Sequence, residues 1–351
     1  MREVIDDPAD WRAEDMIDQS EWVFPLSSRH IAQIDKALKA VNQAGIGIDQ
    51  ITKENFPLEN CADLIDAIHH RMEEGRGLVV VRGFPALEYE KQDLRLIYWG
   101  LGKHIGTAVS QSSKGDLLGD VRDFGQNPYT SKGRGYMSRI GLGFHTDTAD
   151  VVALMVLRPA KSGGLSMICS SLAIRNELAR TRPDLLEVLY EPLYWSWKGQ
   201  QGEGELPYYR APVFSEHNGK FSCRHVITHV IAAQEDFPNI PRLTKIQKEA
   251  LATVDKMAES PEFHFSMMFE PGDMQFLNNH VTMHARTEFE DFEEEDRKRH
   301  LLRMWLSVPN SRELDRGPDA IYETSDAGSI RGGFPSRTGK YSYETLSNAL
   351  D

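Results

Sequence analysis

The sequence predicts a mixed α+β protein with a strand-rich core of jelly-roll or sandwich type, flanked by helices and broken by long insertions. Three observations lead there: an opening that runs helix, glycine turn, apolar strand; a later series of short strands parted by Gly, Pro and Asn turns; and no internal repeat or obvious linker. Such strands disfavour a parallel sheet with regular helical crossovers. The simplest organisation is one domain over 1–351, with a helical flank at 1–77, the core and its insertions at 78–309 and a C-terminal extension at 310–351.

The first 30 residues are polar and punctuated by Trp, and read as an arm or short helices laid on the body. SSRHIAQIDKALKAVNQAG then predicts a helix from a Ser cap near 27 to Gly45. CADLIDAIHHRMEE, residues 61–74, puts Leu64, Ile65 and Ile68 along one side of a second helix. LVVVRGF at 78–84 is an unbroken apolar run ended by Gly and Pro, a buried strand. A helix over about 91–101 follows, then Gly-rich turns. Residues 110–140 show no helical or strand period and read as a mouth loop, with SKGRGYMSR as a candidate lid, or as disorder. From GFHTD at 143–147 the pattern is strand-rich, interrupted by helices at 171–189, with an internal Arg-Pro break, and around 238–258.

Composition narrows the function classes. The 40 Lys and Arg against 53 Asp and Glu give a net charge of −13, and the pI is about 5.4. That excess of acid argues against a broad nucleic-acid or anionic-membrane surface while allowing a local basic pocket. Cys61, Cys169 and Cys223 are widely spaced and odd in number, which fits a reducing compartment and excludes a disulfide scaffold or Cys-rich zinc site. The N-terminus lacks the apolar stretch of a secretory signal, and the longest strongly apolar runs, such as VVALMVL at 151–157, are far too short to span a bilayer. The expectation is a soluble cytoplasmic protein with a small-molecule substrate, no nucleic-acid or membrane partner, and self-association left open.

The chemistry concentrates in two segments. In HTD, His145 and Asp147 are two apart, so on a strand an imidazole and a carboxylate share one face and converge on a divalent ion. A second histidine from a distant strand completes the two-His, one-carboxylate facial triad, with three metal positions left for other ligands. FLNNHVTMHAR supplies His280 and His284 as rivals, His284 reaching back toward the first pair if the strands are neighbours. Beyond an acidic loop, Arg299 and Arg303 are four apart on a strand, about 13 Å along one face. An inward Arg offers the planar two-pronged grip a dicarboxylate needs.

These segments resemble those of the iron(II)/2-oxoglutarate-dependent dioxygenases of the taurine-catabolism and clavaminate-synthase-like family, over about residues 78–309. The resemblance implies a double-stranded β-helix, cupin-like core, with Fe(II) held by His145, Asp147 and His284. It also implies 2-oxoglutarate and O2 as cosubstrates, with release of succinate and CO2. SGGLS occupies the place of the family's GGxT/S strand, making Ser166 a hydrogen-bonding partner for a 2-oxoglutarate carboxylate. RHLLRMWL resembles its R-x-x-x-R motif, so Arg299 would grip the distal carboxylate, and Arg303 would lie near the inner end of the cosubstrate or an anionic group of the substrate.

Two departures matter. The loop EFEDFEEED before Arg299 is longer than in the taurine enzyme, which leaves Arg297 as a rival anchor. Gly141 stands where the taurine-oxidising member has an asparagine, so taurine is a poor substrate expectation. Gln111, Arg139, Tyr209 and Arg210 are further candidates to line the substrate cavity, alongside Arg303. The implied reaction is hydroxylation of an unactivated C–H bond in a small polar, carboxylate-bearing or amino-acid-like metabolite. The same ligands would serve desaturation or cyclisation; the alternatives are a cupin-like metal isomerase or hydrolase, and a catalytically silent binding protein.

Overall fold

The computed structural model describes residues 2–126, 135–319 and 321–345. The Ser28–Ala44 helix starts after Ser27 and stops at Gly45, whose φ of 64° is the left-handed conformation a Cβ disfavours. The helices Ala62–Glu73 and Lys91–Ile105 follow. The second of these runs a turn further than its sequence reading. Gly100 and Gly102 do not break it; they admit close neighbours, since a Cβ at Gly100 would sit 2.5 Å from the Phe56 ring and one at Gly102 2.7 Å from Met304.

Two sheets carry the architecture. The larger has seven strands, six of them in the order Val23–Pro25, Leu78–Arg82, Met274–Asn278, Val151–Arg158, His300–Ser307, Thr107–Val109; Gly119–Val121, from the segment read as an aperiodic mouth loop, also pairs with His300–Ser307. Residues 127–134 of that segment, with the first four of the nine candidate-lid residues, lie outside the described residues, and Gly135–Met137 of the candidate lid forms a single 3-10 turn. The smaller sheet orders its four strands His264–Met267, Ser166–Ser170, Thr282–Arg286, Leu142–His145.

This architecture corrects the expected core. Turn signals and strand lengths specify hairpins and neighbours, but a barrel needs hydrogen-bonded closure between terminal strands. Among the described residues each main sheet keeps two edges: Val23–Pro25 and Thr107–Val109 on one, His264–Met267 and Leu142–His145 on the other. The double-stranded β-helix, jelly-roll, cupin-like description is therefore replaced by a mixed α+β fold with open sheets.

The sheets stack because their strands alternate apolar residues between two faces. On the larger sheet Val79, Val81, Met155, Phe276, Leu302 and Met304 pack against the N-terminal helices, on Ile34, Leu64, Ile68 and Ile97. The opposite face, with Leu78, Val80, Val152, Leu277, Leu301 and Trp305, meets Ile168 and Met267 of the smaller sheet. That sheet's outer face, Cys169, Met283 and Ala285, is covered by the helices Ser171–Thr181, Pro183–Leu189 and Lys245–Ala258 through Leu172, Leu185 and Val254. The C-terminal extension is tied down by buried ion pairs: Arg331 Nε donates to Asp150 at 2.8 Å and Arg312 Nε lies 2.9 Å from Glu73. Polar side chains on the inter-sheet face are thus enclosed by apolar layers, and there the candidate site forms.

Candidate active site

Strand register brings the two histidines together. Thr282–Arg286 pairs antiparallel with Leu142–His145 so that His284 stands directly opposite His145, with ring centroids 4.3 Å apart. Asp147 lies just past the end of its strand rather than on it, so a turn, not strand periodicity, aims its carboxylate. The turn is fixed by two contacts: Asn279 Oδ1 accepts from the Asp147 backbone N–H at 2.9 Å, and the Trp305 indole N–H donates to Asp147 Oδ2 at 3.0 Å. One ligand atom from each of His145, Asp147 and His284 lies within 4.8 Å of the others.

The protonation states suit a cation. Burial pushes the Asp147 carboxyl up, yet Arg303, His284, His145 and the Trp305 N–H together hold it below its usual value, as a carboxylate. Burial first, then His145, pushes the His284 imidazole down to about 3, so it stays neutral with a lone pair to offer. His145 Nδ1 faces the Gly143 carbonyl at 2.8 Å; donation there leaves Nε2 as the free ligand atom. Two imidazoles and one carboxylate suit a divalent iron.

Beside the triad is a pocket of about 540 Å³, open solvent at its mouth included, lined by His145, His284, Ser166, Gln275, Arg286, Arg299 and Arg303 among others. Arg299 is 4 % exposed, and its Nη1 is buried with no hydrogen-bond partner among the described residues. Burial, with Arg286 second, pushes its guanidinium down to about 9. A buried cation with an orphaned N–H is a fit for a carboxylate, which the 2-oxoglutarate assignment requires. Arg299 precedes its strand, and a register shift separates His300 from Leu301. Ser166 exchanges hydrogen bonds with Gln275 at 3.1 and 3.3 Å across the gap between the sheets.

The remaining candidates separate clearly. Arg303 Nε donates to Gln111 Oε1 at 2.6 Å and Gln111 Nε2 returns a bond to the Arg303 carbonyl at 2.9 Å, so Gln111 holds Arg303 and does not itself line the pocket. Arg139, Tyr209 and Arg210 are also absent from its lining. Arg139 is exposed, Tyr209 is buried with its hydroxyl on Arg224, and Arg210 faces Asp319 at 2.8 Å. His280 bonds Asp150 at 2.9 Å in the Arg331 network, away from the triad. Arg297 is half exposed and meets Glu294. Sequence reasoning missed Gln275, Arg286, Trp305 and Asn279; Arg286 and Asn279 stood in the distal-histidine segment, two after and five before His284, whereas Gln275 and Trp305 carried no local signal.

Comparison with known proteins agrees with this geometry. The family described as taurine catabolism dioxygenase TauD, TfdA family matches residues 41–305. FR-33289 synthase of Streptomyces rubellomurinus is 34 % identical over 87 % of this chain and 90 % of its own length. The taurine hydroxylase-like protein SAT17 of Stachybotrys chartarum is 29 % identical over 89 % and 84 %. In fold, the chain resembles asparagine oxygenase in complex with Fe(II), 3-hydroxyasparagine and succinate, with a TM-score of 0.64 at 16 % identity over 81 % of this chain and 93 % of that one. It also resembles the non-heme iron oxygenase OrfP in complex with Fe and alpha-ketoglutaric acid, with a TM-score of 0.59 at 14 % identity over 81 % and 93 %.

Proposed function

The chain belongs to the taurine catabolism dioxygenase TauD, TfdA family, and from that premise we propose that it uses Fe(II), 2-oxoglutarate and O2 to hydroxylate an unactivated C–H bond of a small polar metabolite. The observation that carries this reading is the sharing of one enclosed pocket by the His145 and His284 imidazoles and the orphaned Arg299 guanidinium, with Asp147 alongside. Bound iron with 2-oxoglutarate and dioxygen would supply the oxidant, with succinate and CO2 released.

The protein's own part is to hold and exclude. His145, Asp147 and His284 hold the metal, with Trp305 and Asn279 fixing the carboxylate. Arg299 neutralises the distal carboxylate of the cosubstrate, and Ser166, already paired with Gln275, offers it a hydroxyl. Arg303, oriented by Gln111, places a second positive group near Asp147 for an anionic part of the substrate. Apolar walls from Val152, Leu154 and Phe269 keep water from the reacting centre.

A carboxylate-bearing, amino-acid-like substrate fits the basic lining, and two proteins of like fold are described with hydroxylated amino acids, 3-hydroxyasparagine and (3S)-hydroxy-L-Arg. The test is aerobic incubation with Fe(II), 2-oxoglutarate and a panel of amino acids and small carboxylates. Succinate formed in step with a product that gains one oxygen supports hydroxylation; loss of two hydrogens redirects it to desaturation or cyclisation. No substrate-dependent succinate across the panel counts against the substrate class.

A further inference from the structure

Arg286 is a buried arginine in the same pocket with a role still open. It stands two residues after His284 on one strand, so both side chains take the same face, and directly opposite Ser166 in the antiparallel ladder. It is 8 % exposed. Its guanidinium carbon lies 4.8 Å from the centroid of the Phe289 ring, and that of Arg299 lies 5.0 Å from the same ring. Both guanidinium groups line the same pocket.

Their polar partners are unbalanced. Arg286 Nη2 donates to the carbonyls of Ser138, at 2.7 Å, and Ile140, which anchors its outer edge. Among the described residues, Arg286 Nε, like Arg299 Nη1, is buried without a hydrogen-bond partner. The acidic groups bearing on the pair are already engaged: Asp291 accepts from the Arg299 backbone N–H at 2.7 Å and Asp123 from that of Gly125 at 2.9 Å. A backbone clamp accounts for Nη2 alone. Among the described residues it leaves Nε–H without a partner and the guanidinium without a direct ion pair, an arrangement that an anion entering the pocket would satisfy.

We propose that Arg286 is a second cosubstrate anchor, its Nε–H meeting the distal carboxylate of 2-oxoglutarate beside Arg299. This rests on the cofactor reading above. The bonds to Ser138 and Ile140 hold the guanidinium in place before binding, so little side-chain freedom is lost when the anion arrives.

The discriminating experiment compares 2-oxoglutarate with 2-oxopentanoate, which has the same chain length and lacks the distal carboxylate. Both acids are titrated anaerobically into the Fe(II)-loaded protein, read by the visible metal-to-ligand band, for wild type, R286Q and R286K. The wild type favours 2-oxoglutarate strongly. In R286Q that preference falls by about tenfold, the scale of one charge-assisted hydrogen bond, while 2-oxopentanoate binds as before; R286K falls in between. A merely structural Arg286 would weaken both acids alike, and that result, or a wild-type preference in either soluble variant, overturns the proposal. A wild-type protein that loads iron but binds neither acid rejects the cofactor reading itself.

Discussion

Replacing Arg299 by methionine should stabilise the ligand-free protein while abolishing its response to 2-oxoglutarate. Arg299 is 4 % exposed, its Nη1 has no hydrogen-bond partner among the described residues, and burial with the neighbouring Arg286 pushes its guanidinium down to about 9. Taking such a cation out of water costs several kcal/mol even after relaxation, and replacing even paired buried charges by well-packed apolar groups of like volume is often neutral or gains about 1–4 kcal/mol. Loss of the contact with the Phe289 ring, 5.0 Å from the guanidinium carbon, offsets about 0.5–2 kcal/mol of that. The net expectation for R299M is a gain of about 1–2 kcal/mol, read as a higher urea midpoint at unchanged slope. The order reverses on adding Fe(II) and 2-oxoglutarate without oxygen. At about a hundred times its Kd the ligand adds about 2.7 kcal/mol to the wild type and nothing to R299M beyond the metal's own effect. A variant destabilised by more than about 1 kcal/mol, or one still stabilised by 2-oxoglutarate, would contradict this role for Arg299.

Three further predictions follow from the same contacts. W305F removes the indole N–H from Asp147 Oδ2 while keeping an apolar ring; anaerobic titration should show Fe(II) affinity reduced by about 10- to 100-fold, and an unchanged affinity would make that bond incidental. H280A should bind Fe(II) as the wild type does and H284A should not; the H280A cost appears instead in stability, because Asp150 keeps only part of its buried network. Burial pushes the Asp120 carboxyl up, but His300, Arg95 and the Thr345 N–H hold it below 3.8. A carboxyl depressed by folding contributes stability above its unfolded value and loses it as pH falls below about 3.8. D120N should therefore show a flatter acid limb below that pH, and at neutral pH a loss of about 3–5 kcal/mol from stranding Arg95; a parallel acid limb contradicts the linkage.

What the sequence displayed, and what it hid, divides along a physical line. Local signals were legible: Ser27 and Gly45 bracket a helix because a cap and a left-handed stop are properties of single residues. HTD and the distal HAR segment were legible because metal ligands carry their chemistry in residue type. Their meeting depends on register, with His284 opposite His145, and no local pattern encodes it. The same limit hid Gln275 and Trp305, which come from strands of the other sheet, and it made Gln111 look like a cavity residue when it braces Arg303. Gly102 read as the start of a turn since a glycine admitting a neighbour and one bending the chain look alike in one dimension. Closure of the sheets is a property of edges, and the expected barrel failed there.

Whether this site binds 2-oxoglutarate on iron is read by anaerobic addition of 2-oxoglutarate to the Fe(II)-loaded protein, followed by its weak visible charge-transfer band. A saturable band is expected in the wild type, none in H145A, and a sharply weakened one in R299A. Iron bound at one equivalent with no band at any 2-oxoglutarate concentration would contradict that binding.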